Sequence, residues 1–175
     1  MKVSFLAVLL LSVFVVAQPQ VALAQNPGSD GTTIGLQGGK YGVGFTSSWP
    51  AYGISGVYYA NQKISIEAVL GFLGTVNTYS GRLWYRFTPG EKFDIYGVAG
   101  AGIYTYDYFL GNENVLGLQG GAGIESGIQA LADDPELPAI FFNLELTLGY
   151  ANFEFYNFSA ISFGAGIQYR FGQRN

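Results

Sequence analysis

The chain has 175 residues, of which 11% are charged and 17% aromatic, with 26 glycines, a formal net charge of −4, no histidine and no cysteine. Without Cys or His there is no disulfide, no thiolate metal site and no Ser-His, Asp-His or Cys-His catalytic arrangement. The charged fraction is less than half of the roughly 25% usual for soluble domains, and no basic run offers a surface for nucleic acid.

The first residues read as a secretory signal peptide, expected over 1–24. Met1-Lys2 is a short basic start, Val3 to Val16 is largely apolar, and Ala22-Leu23-Ala24 is an A-x-A cleavage site that leaves Gln25 as the first mature residue. The apolar core is short for a membrane span. Removing Lys2 leaves seven basic against twelve acidic residues. Residues 25–175 form one domain's worth of chain, with 25–31 as a flexible lead-in. Past the leader no apolar run reaches about 18 residues, so no helical span is expected.

From Tyr41 onward the sequence alternates with period two, which is the signature of strands. Tyr41 to Ser47 sets Tyr41, Val43 and Phe45 against Gly42, Gly44 and Thr46, and Tyr52 to Tyr59 is a weaker strand. Lys63 to Phe72 sets Ile64, Ile66, Ala68, Leu70 and Phe72 against Ser65, Glu67, Val69 and Gly71. Thr78 to Phe87 sets Tyr79, Leu83, Tyr85 and Phe87 against Ser80, Arg82, Trp84 and Arg86. Phe93 to Tyr108 and Val115 to Ile128 follow, the second with Leu116, Leu118, Ala122, Ile124 and Ile128 on its apolar face. Phe141 to Tyr150 and Ile161 to Phe171 complete about eight strands of the length a tilted membrane strand needs. Gly-Ala-Gly-Ile recurs at 100–103, 121–124 and 164–167, always with both glycines on one parity.

Turn chemistry marks the connections at 48–51, 60–62, 74–77, 88–91 and 111–114. Leu131 to Ala139 is longer and acidic, with Asp133, Asp134, Glu136 and two prolines. With both termini facing the periplasm this turn is periplasmic, where it is a solvated turn or a contact for a periplasmic partner. Its carboxylates match no standard calcium loop, and neither metal nor cofactor is expected.

Two facings satisfy the alternation. In a membrane barrel the apolar face meets lipid, and the glycine-rich face fills a narrow lumen. In a soluble periplasmic barrel the apolar face would line a ligand cavity, but the other face carries few charges for a solvated exterior. The membrane facing predicts aromatic girdles. One is Tyr41, Tyr85, Phe87, Phe93, Phe142, Tyr169 and Phe171; the other is Trp49, Tyr52, Phe72, Tyr79, Tyr106, Tyr108, Phe153 and Phe155.

The same facing sends Glu67, Arg82, Arg86, Asp94, Glu125, Glu145 and Arg170 inward. Glu67 is expected near Trp84, flanked by Arg82 and Arg86. A lumen of this width excludes bulk water, so each charge needs a partner. These residues form either a structural ion-pair network or a gate on a narrow ion path. A carboxylate pair for acid–base work remains formally available, but the residue inventory points away from an enzyme.

The leader, the Gly-Ala-Gly-Ile strands and the closing segment Phe163-Gly164-Ala165-Gly166-Ile167-Gln168-Tyr169-Arg170-Phe171 together resemble small outer-membrane β-barrel proteins of the OmpA/OmpX-like type. The resemblance implies an all-β, antiparallel, up-and-down transmembrane barrel of about eight strands in a Gram-negative outer membrane. It implies outer-membrane lipid as the surrounding partner. It also implies that barrel-assembly machinery reads Phe163, Ala165, Ile167, Tyr169 and Phe171 as a C-terminal strand signal; here Gly172 to Asn175 follow the final aromatic. A role in envelope structure, membrane integrity or surface interaction is the expected function, with a low-conductance pore or a soluble ligand-binding barrel as alternatives.

Overall fold

The computed structural model describes residues 39–48, 51–73, 76–88, 90–108, 111–154 and 157–172. The signal peptide, its cleavage site at Ala22, Ala24 and Gln25, and the girdle residues Trp49 and Phe155 lie outside them, as does the side chain of Tyr108. Eight antiparallel strands close on themselves in sequence order. They are β1 (Tyr41–Ser48), β2 (Ala51–Tyr59), β3 (Ile64–Gly71), β4 (Val76–Thr88), β5 (Asp94–Tyr108), β6 (Gly111–Gly127), β7 (Ile140–Asn152) and β8 (Asn157–Phe171). Closure is made by β1 against β8, with Tyr41 opposite Phe171 and Thr46 opposite Gly166. Each strand thus has two neighbours and no edge is left to pair with another chain.

Burial settles the facing. On β3 the pattern alternates from Ile64 to Gly71, with Ser65, Glu67, Val69 and Gly71 buried and Ile66 and Leu70 exposed. On β7 the same alternation runs from Phe141 to Asn152. The exposed set is apolar and includes Leu83, Ile103, Leu116, Leu146, Ile161 and Phe163, while the buried set is mostly polar. The interior is therefore not an apolar ligand cavity, and the soluble alternative fails on that point.

Most lumen-facing glycines are required by close packing. A Cβ on Gly123 would stand 2.6 Å from the Tyr96 ring, one on Gly102 2.5 Å from Ser80 Cβ, and one on Gly164 2.5 Å from Ser48 Cβ. On the outer face there is more room at two positions: a Cβ on Gly56 or Gly81 would meet nothing within 4 Å. Gly-Ala-Gly-Ile thus has a physical reading, with glycines inside where the lumen is crowded and Ala and Ile outside.

Several boundaries differ from the sequence expectation. Gly111 to Asn114 is not a turn; it pairs with Thr105 to Tyr108 in the long β5–β6 hairpin. Val76, Asn77 and Thr88 are strand residues, and the β4–β5 register shifts between Arg86 and Thr88. Ile128 does not continue the apolar face of β6, because a short helix, α1 (Ile128–Ala132), begins there. The helix occupies the start of the acidic connection. It ends on Asp133 in the left-handed region (φ 54°), and Asp134 N–H donates to the Gln129 carbonyl at 3.0 Å.

The mouth holding the start of β1 and the end of β8 is the near mouth; the opposite one is the far mouth. The first girdle is exposed around the near mouth as expected, and Tyr58 joins it against Tyr41 at 5.7 Å. At the far mouth Phe72, Tyr79 and Tyr106 are exposed, but Phe153 is not. Phe153 shares the parity of Glu145 and Thr147, so it turns inward onto Tyr104 and Ala151.

Candidate functional site

The most chemically distinctive part of the molecule is the lumen, where all seven of the inward charges anticipated above are buried. They fall into two layers. In the middle layer Glu67 of β3 stands directly opposite Arg82 of β4. Trp84, expected near Glu67, lies one inward position nearer the near mouth and still reaches it, because the β3–β4 register pairs Gly71 with Thr78. Arg82 Nε is 3.2 Å from Glu67 Oε2, and Arg82 Nη2 is 2.5 Å from Glu145 Oε1 on β7. Trp84 Nε1–H donates to Glu67 Oε2 at 3.1 Å, and Tyr96 O–H donates to Glu145 Oε1 at 2.8 Å. The Trp84 and Tyr96 rings stack at 4.5 Å with 4° between their planes.

In the near layer Asp94 and Glu125 oppose each other on β5 and β6. Two like charges so placed repel, and guanidiniums reconcile them. Arg86 Nε lies 3.3 Å from Asp94 Oδ2 and Arg86 Nη2 lies 3.0 Å from Glu125 Oε1. Arg170 Nη2 reaches Glu125 Oε2 at 2.5 Å. Arg86 Nη1–H also donates to Ser65 Oγ at 2.7 Å. The Arg170 guanidinium sits 3.5 Å from the Phe141 ring centre and 4.1 Å from that of Tyr59. These contacts combine charge-assisted hydrogen bonds with cation–π attraction in a water-poor interior.

Apolar clusters lie toward both ends. At the near mouth Ala130 of α1 packs on Phe141, with Ala139 beside them. At the far mouth Tyr104, Ala151 and Phe153 cluster, with Val76 and Val115 against them. Between the middle layer and the far mouth, Thr147 Oγ1 lies 3.4 Å from Ser48 Oγ and 2.9 Å from Ser162 Oγ. Among the described residues no group of three or more Asp or Glu is arranged to hold a metal ion.

Sequence reasoning missed Tyr59 and Tyr96 as lumen-filling residues, and α1 as a cover, whereas Gln119 and Gln168 are buried on the inward parity that the alternation assigns them. Parity was the available signal for Tyr96 as well. Tyr96 falls with Gly100 and Gly102, and Gln168 with Gly164 and Gly166. Tyr59 O–H donates to Gln168 Oε1 at 2.7 Å, tying β2 to β8 across the lumen. Of the proposed assembly signal, Phe163, Ile167, Tyr169 and Phe171 are exposed on the outer face of β8, with Ala165 between them.

A family model described as the outer membrane protein beta-barrel domain matches residues 6–171. The chain belongs to this family. Its site is the outer membrane of a Gram-negative bacterium, its outward apolar face is the surface that meets lipid, and its barrel closes with eight strands in sequence order. Similar solved structures include the N-terminal β-barrel domain of Pseudomonas aeruginosa OprF, at 18% identity over 77% of this chain and 100% of that one, TM-score 0.47. Another is Yersinia pestis Ail in a phospholipid bilayer nanodisc, at 16% identity over 74% and 97% of the two chains, TM-score 0.37. Among curated proteins none matches the chain.

Proposed function

We propose that this protein is a non-enzymatic, sealed barrel that serves envelope structure and membrane integrity. The observation that carries the reading is the filling of the lumen: two charged layers lie between an apolar cluster at Phe141 and Ala130 and another at Tyr104 and Phe153. Ion passage would require separating buried pairs, which costs several kcal/mol for each uncompensated charge. The residue inventory also favours a non-catalytic role, since neither His nor Cys is present. In this reading the near mouth faces the periplasm and α1 is a periplasmic cover. The leader directs export, with cleavage after Ala24. Barrel-assembly machinery reads the outer face of β8, from Phe163 to Phe171.

Conductance separates this reading from a pore. In planar bilayers the folded protein should leave current at the lipid baseline, and Arg82→Ala should lower thermal stability without opening a path. Resolved unitary steps from the wild-type protein, or a large conductance rise in Arg82→Ala, would favour the gate.

A further inference from the structure

The outer surface at the near mouth carries a notch. α1 holds Leu131 exposed beside the lipid-facing side chains of the barrel. Leu131, Phe93, Ile124, Phe142 and Leu144, together with Glu125 and Ser126, line a half-open cavity of about 240 Å³ whose accessible walls are almost wholly apolar. Phe93, Ile124, Phe142 and Leu144 are themselves part of the exposed apolar belt, so the notch is continuous with the surface that meets lipid. Water would find few hydrogen-bond partners there, whereas a stretch of acyl chain fits.

The frame of the notch is clamped. Ser126 Oγ–H donates to the Lys92 carbonyl at 2.6 Å, which ties the approach to β5 onto β6. Lys92 Nζ–H donates to Asp133 Oδ2 at 2.9 Å and so fixes the end of α1. The Gln129 side-chain amide donates to the Leu137 carbonyl at 2.7 Å and to that of Pro135 at 3.1 Å. Leu131 therefore sits on a held element.

Charge lies next to the lining residues in the chain, on Lys92 before Phe93 and on Asp133 at the end of α1. The Lys92 ammonium is 45% exposed, and its bond to Asp133 uses one of three donors. Asp133, Asp134 and Glu136 are exposed in the adjoining turn. A purely anionic headgroup would meet more negative than positive charge. A zwitterionic headgroup with a primary amine matches both signs: its phosphate meets Lys92 and its ammonium meets the carboxylates.

We infer that this notch binds a single aminophospholipid. Its acyl chain lies along Leu131 and Phe142, its phosphate at Lys92 and its ammonium at Asp134 and Glu136. The inference rests on the outer-membrane placement and is independent of whether the lumen conducts.

The test is lipid retention. The full chain is folded into vesicles of equal phosphatidylethanolamine and phosphatidylglycerol, transferred to mild detergent and weighed by native mass spectrometry. The wild-type barrel should retain one phospholipid, with the ethanolamine species enriched. Leu131→Asn, at an exposed position, should cut retention about tenfold. Asp134→Asn with Glu136→Gln should keep the lipid but erase the preference for ethanolamine. Phe72→Asn, in the belt at the far mouth, should retain lipid as the wild type does. Heat-dependent gel mobility verifies closure of each variant. Equal retention in Leu131→Asn and wild type, an equal loss in Phe72→Asn, or enrichment of the glycerol lipid would each overturn the inference.

Discussion

The two charged layers of the lumen are balanced differently. In the middle layer one cation, Arg82, lies between two carboxylates, Glu67 and Glu145. In the near layer one carboxylate, Glu125, lies between two cations, Arg86 and Arg170, and Asp94 closes on Arg86. The near layer thus balances two charges of each sign, and both of its carboxylates keep Arg86 when Arg170 is lost. The middle layer has no such reserve. Redundancy, rather than the number of ion pairs, should decide what each layer contributes to stability.

The largest expected effect follows from removing the middle cation. Arg82→Met leaves Glu67 and Glu145 buried with no guanidinium, supported by neutral donors such as Trp84 and Tyr96. Breaking a buried pair in this way costs about 3–5 kcal/mol, which a urea titration of the folded barrel in detergent would register. A loss below about 1 kcal/mol would break the comparison, since it would mean the layer does not depend on its one cation. Arg170→Met should cost less, about 1–3 kcal/mol. Glu125 keeps Arg86, and the main loss is the guanidinium between Phe141 and Tyr59. If Arg170→Met proved as damaging as Arg82→Met, sharing within the near layer would be disproved.

These layers were partly legible in the sequence, and the legible part has a simple cause. Period two assigns every strand residue a face, so Glu67, Arg82, Arg86, Asp94, Glu125, Glu145 and Arg170 could be placed inside without knowing any pairing. Which residue meets which depends on register, and register depends on turns. The β3–β4 register is centred one residue earlier than expected, which puts Arg82 directly opposite Glu67 and leaves Trp84 to bond Glu67 from the next inward position. Gly111 to Asn114 has turn composition, yet cross-strand hydrogen bonding to Thr105 to Tyr108 overrides it. α1 was not legible: it has five residues and no side-chain N-cap, and its place follows from the packing of Ala130 on Phe141. Phe153 is the instructive error, because aromatic character was weighed above the parity it shares with Glu145.

The smallest expected effect is also the sharpest test of that charge balance. The middle layer carries one more carboxylate than guanidinium, so neutralising one carboxylate should relieve it. Glu145→Gln retains an amide oxygen that can still accept from Tyr96 O–H and from Arg82, and leaves Arg82 paired one-to-one with Glu67. The neutral contact is weaker than the ionic one, but repulsion between Glu67 and Glu145 is gone. The two terms oppose, and the expected change is within about 1 kcal/mol in either direction. The same substitution at Glu125 removes the carboxylate that two arginines share, and should cost more than Glu145→Gln in the same titration. Finding the two glutamines equally costly would show that both layers respond to the loss of a hydrogen-bonded ion pair alone, with no role for the sign of the surplus charge.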